Sequence, residues 1–191
     1  MTREEEEFIK LLDDNEYSYE IQGDKIIVTY GGFVSLDSHT SLPPGVEFRS
    51  GGDVYLDYLT SLSPGVEFNN KRSVWLNSLT SLSPGVKFNN RGNVWLNYVT
   101  SLPPGVEFNN EGSVRLRALT SLSPGVEFRN VGNVYLNYLT SLPPGVEFNN
   151  EGSVLLNSLI GGLFNEWNGN IEGIDSKRLL NFMISKGVFE R

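Results

Sequence analysis

"LTSLSPGVEFNN" spans residues 59–70, returns as "LTSLSPGVEFRN" at 119–130, and recurs in variant spellings beginning at Leu79, Val99 and Leu139. Aligning the copies gives a period of 20 without insertions, in which Val34, Val54, Val74, Val94, Val114, Val134 and Val154 are equivalent. A period of about 20–50 residues marks a solenoid, whose units cannot bury an apolar face alone and so stack on their neighbours. Letters that recur in every copy are expected to hold the coils together. Letters that differ carry whatever is individual to this chain.

The unit beginning at Val74 reads VWLNSLTSLSPGVKFNNRGN. Val74 and Leu76 are two apart and point the same way in a strand, while Trp75 and Asn77 point the other way. Leu79 and Leu82 continue the inward row after a bend, and Val86 and Phe88 form a second alternating run. Two corners, at Ser83-Pro84-Gly85 and near Gly92, turn the chain. Each copy is therefore one coil, with successive V-x-L strands stacked in parallel about 4.8 Å apart.

The run VYLNYLTSLPPGVEF at 134–148 resembles the short, 20-residue class of bacterial leucine-rich repeats, with an L-x-L strand followed by L-x-x-L-P. It is also similar to short repeat arrays of bacteriophage proteins. The resemblance covers about two thirds of the chain and speaks for architecture. One departure is plain: the Asn or Cys usual after the strand is replaced by Leu59, Leu79, Val99, Leu119, Leu139 and Leu159, which predicts aliphatic packing at that corner. A different row, Asn70, Asn90, Asn110, Asn130 and Asn150, is placed to bond turn backbone at the opposite corner. A horseshoe-like form and a closed parallel β-helix both fit this pattern.

The expected fold is mainly β: a parallel, leucine-rich-repeat-like β-solenoid of seven 20-residue coils over 32–160, with an α+β N-terminal cap over 1–31 and a helical C-terminal cap over 161–191. Thr2-Arg3-Glu4-Glu5 spells a capping box, and Phe8, Ile9, Leu11 and Leu12 give the first helix an apolar face. YSYEIQGDKIIVTY, at 17–30, alternates around Gly23-Asp24 as a hairpin does. Gly161-Gly162 breaks the repeat, and Asp175 or Ser176 can start a helix that Gly187 ends.

Outward positions form two rows. Between the inward Val and Leu stand Ser35, Tyr55, Trp75, Trp95, Arg115, Tyr135 and Leu155; three residues further on stand Ser38, Tyr58, Ser78, Tyr98, Ala118, Tyr138 and Ser158. This predicts a sheet face of aromatics interrupted by Arg115 and Arg117. The candidate binding residues are Tyr55, Tyr58, Trp75, Trp95, Tyr98, Arg115, Arg117, Tyr135 and Tyr138. Trp, Tyr and Arg dominate binding hot spots, and soluble monomers seldom expose large apolar patches without a use for them. The plainer account is cross-strand packing alone. Asp53, Asn93 and Asn133 accompany the tyrosine copies, and Ser73, Ser113 and Ser153 the small ones, which suggests duplication of a 40-residue pair with each tyrosine leaning over its small neighbour.

A net charge of −8 and a pI near 4.7 argue against binding nucleic-acid backbone. Residues 1–14 lack a basic stretch followed by an apolar one, and nowhere is an apolar run long enough for a bilayer, so a soluble protein without a secretory signal is expected. The absence of cysteine excludes disulfides and thiolate metal sites and suits a cytoplasmic location. Glu47, Glu67, Lys87, Glu107, Glu127 and Glu147 form a row expected to be a solvated acidic face, without the converging ligands calcium needs. His39, the one histidine, fits a structural role beside the cap, and no nucleophile–base pair suggests itself. Neither an enzyme nor a cofactor is expected. The Thr-Ser pairs lie on a bend, which favours hydroxyls bonded to backbone over a flat ice-ordering array. The leading expectation is a protein-binding module, and the phage resemblance implies a host partner, such as a defence protein. The alternatives are carbohydrate stacking on Tyr and Trp, with Asp57, Asn77, Asn97 and Asn137 as orienting groups, and a self-assembled homodimer paired about a two-fold axis.

Overall fold

The computed structural model describes residues 1–36, 39–143, 145–156 and 158. The chain opens with helix α1 (Arg3–Asp14), whose start is fixed reciprocally: the Glu5 amide donates to Thr2 Oγ1 at 3.2 Å and the Thr2 amide to Glu5 Oε2 at 2.7 Å. Glu4, Glu5 and Glu6 in the first turn complement the helix dipole. Phe8 and Leu12 are buried against the solenoid core, with Ile9 and Leu11 partly so. A hairpin follows, β1 (Tyr19–Gln22) and β2 (Lys25–Val28), turned at Gly23. Strand β2 then pairs in parallel with Glu47–Phe48, so the cap is continuous with the repeats.

Seven two-residue strands, from Val34–Ser35 through Val74–Trp75 to Val154–Leu155, pair in parallel and in register as one sheet. The Glu-Phe strands, Glu47–Phe48 to Glu147–Phe148, join the hairpin in an eight-stranded second sheet. Among the described residues the third side is paired as strands only at Ser101–Leu102 and Ser121–Leu122. Elsewhere it is tied by single bonds such as the Thr60 amide to the Thr40 carbonyl at 3.4 Å. Because Val54, Leu56, Leu59, Leu62, Val66 and Phe68 of one turn enter a single core and successive turns are bonded on all three sides, the cross-section is closed rather than horseshoe-like. Seven coils were expected; the seven Val-led strands bound six complete turns, and the seventh coil passes out of the described residues after its first strand. The C-terminal helical cap expected over 161–191 lies outside the described residues, as do Ser38, Leu159 and Trp167.

Stacking identical turns places identical side chains in contact. Phe48, Phe68, Phe88, Phe108, Phe128 and Phe148 form an inner ladder with ring centroids 5.1–5.3 Å apart and planes within 8°. The aliphatic corner row Leu59, Leu79, Val99, Leu119 and Leu139 is fully buried. At the opposite corner, Asn70, Asn90, Asn110, Asn130 and Asn150 are fully buried. Each donates its Nδ2 to the carbonyl two residues ahead and to one in the preceding turn, as Asn110 does to Gly112 at 2.8 Å and Gly92 at 3.1 Å. This is the backbone-bonding ladder expected of the Asn row. The Pro-Gly corner has a backbone reason: Gly85 and its equivalents have φ of +71° to +77°, as the second central residue of such a turn requires. At the other corner a Cβ on Gly112 would come within 2.4 Å of the Gly92 backbone, while Arg72 holds the equivalent place in its own turn.

Candidate functional site

The first outward row is a continuous stack. Tyr55 lies 6.0 Å from Trp75 with planes 20° apart, Trp75 lies 4.5 Å from Trp95 with planes 7° apart, and Arg115 follows. The Arg115 guanidinium is sandwiched, 4.2 Å from the Trp95 ring centre and 4.8 Å from that of Tyr135. All five side chains are half-buried. Because these planar groups stack along the solenoid axis, much of each face is covered by the next. The Trp75 and Trp95 ring nitrogens are buried without a hydrogen-bond partner.

Tyr58, Tyr98 and Tyr138 differ. They sit in the turn after the strand, are 60–62% exposed, and enter no ring contact or hydrogen bond among the described residues. At the accompanying position Asp53, Ser73, Asn93, Ser113 and Asn133 each accept from the amide of the equivalent residue one turn on, at 2.8 Å for Asp or Asn and 3.1 Å for Ser. Both side-chain types do this, so the two-turn period shows its effect at the tyrosine slot, where Ser78 and Ala118 leave space between large rings.

Beside the tyrosines runs a half-buried polar row. Asn77 donates its backbone amide and Nδ2 to Asp57 Oδ1 at 2.9 and 3.0 Å, and Asn97 Nδ2 donates to Asn77 Oδ1 at 2.8 Å. Of the groups considered as sugar-orienting, Asp57, Asn77 and the Asn97 amide nitrogen bond one another, while the Asn97 and Asn137 Oδ1 atoms are buried without a partner. Arg117 continues the row and is exposed, and neither it nor Arg115 has a carboxylate partner among the described residues. The nine sequence-derived candidates divide into an embedded stack on the strands (Tyr55, Trp75, Trp95, Arg115, Tyr135) and exposed groups in the turn that follows (Tyr58, Tyr98, Arg117, Tyr138).

This division separates two variants. Replacing Trp75 and Trp95 together with Ala should cost about 2–4 kcal/mol, because half-buried ring area, the Tyr55–Trp75 and Trp75–Trp95 stacks and the Arg115 contact with Trp95 are lost. Replacing Tyr58, Tyr98 and Tyr138 with Ala should change stability by less than about 0.5 kcal/mol per site. Chemical denaturation of both variants checks the contrast, and equal losses would contradict it.

The Glu row is not the uniform solvated face expected. Glu47 is buried at 3% exposure under the hairpin, where Arg49 Nε donates to it at 2.5 Å and Asn69 Nδ2 at 2.6 Å. Glu67 pairs with Lys25 at 3.0 Å, Glu107 with Lys87 at 3.1 Å, and Glu127 with Arg129. Burial pushes the Glu47 carboxyl up, but hydrogen bonds from Arg49 and Asn69 and the charges of Arg49 and Lys25 outweigh it and hold it below the usual glutamate range. A carboxyl lowered on folding gives stability that is fully present above its unfolded pKa and is lost as the pH falls through the lower folded value. Glu47→Gln should therefore cost about 1–3 kcal/mol at neutral pH and flatten the acid limb of the stability profile, which a urea titration against pH would read.

His39 is half-buried beside the first coil, its amide bonded to the Leu36 carbonyl. Thr120 and Thr140 hydroxyls donate to the carbonyls of Thr100 and Thr120, at 3.2 and 3.3 Å, so this row is tied to backbone. Among the described residues no three His, Cys, Asp or Glu side chains gather as metal ligands, and no helix is long and apolar enough to cross a membrane. The fold and face define a parallel β-solenoid with one individual, aromatic and cationic surface. No protein-family profile, curated protein or solved structure matches this chain.

Proposed function

We propose that this protein is a non-enzymatic binding module that holds a partner protein on its aromatic and arginine face. The observation that carries this reading is the exposure of Tyr58, Tyr98 and Tyr138, which stack on no ring among the described residues, beside Arg117, which has no carboxylate partner among them, in a chain whose recurring residues are spent on the core. Tyrosine and arginine are the residues that give most binding energy at protein interfaces. Carbohydrate binding is the weaker reading, because Asp57 Oδ1, Asn77 and the Asn97 Nδ2 bond one another and the Asn97 and Asn137 Oδ1 atoms, though unpartnered, are buried away from a surface ligand. The likeness to short bacterial and phage leucine-rich repeats makes a host protein, such as one of a defence system, the first partner to try.

The test compares wild type with a Tyr58/Tyr98/Tyr138→Ala, Arg117→Ala variant. Light scattering should give a monomer for both; a wild-type dimer that the variant dissolves would mean the face serves self-assembly. A purified partner, identified by capture from host lysate, should then bind wild type at least tenfold more tightly than the variant. Equal binding would overturn the assignment of the face.

A further inference from the structure

The three free tyrosines lie two turns apart, so their spacing along the solenoid is about 9.5 Å. A polyproline II helix advances three residues per turn, about 9.3 Å, and presents every third side chain on one edge. Three equally spaced rings therefore match three successive turns of such a segment with little accumulated error. Between them stand the small side chains of Ser78, exposed, and Ala118, half-buried. The row offers donors to a ligand: each phenol can donate as well as accept, and the Arg117 guanidinium only donates. A polyproline II backbone has no internal hydrogen bonds and offers carbonyl acceptors all round.

Charge sets the direction. Arg117 stands beside Ala118 without a carboxylate partner among the described residues, while Asp57 stands three turns away at the Tyr58 end. We propose that the row Tyr58, Tyr98 and Tyr138 is a docking surface for a polyproline II segment of the partner protein, carrying an acidic residue that meets Arg117. This rests on the protein-binding reading and narrows it to a ligand chemistry; aromatic-lined grooves are the general means of holding such segments.

The probe is an acetylated (Pro-Pro-Glu)4 peptide, titrated against the full chain labelled with 13C on its tyrosine rings, with (Pro-Pro-Lys)4 and cellohexaose as comparators. The glutamate peptide should shift the Tyr58, Tyr98 and Tyr138 signals. Tyr98→Ala, an exposed change that leaves the fold intact, should weaken binding at least tenfold, and Arg117→Glu should reverse the preference to the lysine peptide. No shift of the three signals at millimolar peptide, or shifts unaltered by Arg117→Glu, would overturn the proposal. Shifts with cellohexaose but not peptide would overturn both it and the protein-binding reading. A partner protein whose binding needs the tyrosines, with no response to peptide, would overturn the polyproline inference and leave that reading standing.

Discussion

Phe108→Ala should destabilise the protein by about 3–5 kcal/mol, the cost of removing a fully buried aromatic side chain and leaving its cavity. Phe108 has no solvent exposure and lies 5.1 Å from both Phe88 and Phe128. The rings on either side are held by the turns that carry them and cannot collapse into the gap. In a solenoid each turn is stabilised by its neighbours, so a defect in a central rung weakens coupling between the two halves as well as removing its own contacts. The melting temperature should fall on the order of 10 °C. A loss below about 1 kcal/mol, measured by urea denaturation, would show that the ladder does not bear the core packing described here.

Asn110→Ala should cost about 2–4 kcal/mol, since two hydrogen bonds to the Gly92 and Gly112 carbonyls are lost inside the molecule. Asn110→Asp is nearly isosteric and should be worse at neutral pH, because a carboxylate would face two carbonyl oxygens with no donor to offer. The sign of its pH dependence is diagnostic. That buried Asp would have a folded pKa raised above its unfolded value, so the variant should regain stability as the pH falls and lose it as the pH rises. Denaturation of Asn110→Ala and Asn110→Asp at pH 4 and pH 7 checks both statements. An Asp variant as stable as wild type at pH 7 would mean that the Asn row is not the corner's donor.

Much of the fold was legible in the sequence because repetition removes ambiguity. A Val or Phe recurring every 20 residues in alternation with polar residues must face one core, and the Pro-Gly and Asn-x-Gly corners recur at the same places. The third side was not legible. Its Leu-Thr-Ser-Leu spelling suits a bend as well as a strand, and whether the coil closes there depends on hydrogen bonds between turns, such as those pairing Ser101–Leu102 with Ser121–Leu122. At the candidate site the outward rows were legible as rows, and the difference between them was not. Tyr135 and Tyr138 are the same letter three positions apart, yet one ring is covered by Arg115 and the other is open.

The sequence by itself determined the period, the inward and outward positions, the corner glycines and the gathering of the aromatic and arginine residues, because these follow from spacing along one chain. Tertiary structure alone decided the closed cross-section, the stacking of Trp75 on Trp95 and the contrast between Glu47 and Glu147, identical in the repeat but buried at one end and exposed at the other. The physical reason is common to all three. Each depends on what lies against a residue from another turn or from the hairpin, and burial, ring contact and desolvation are properties of that neighbour as much as of the residue itself.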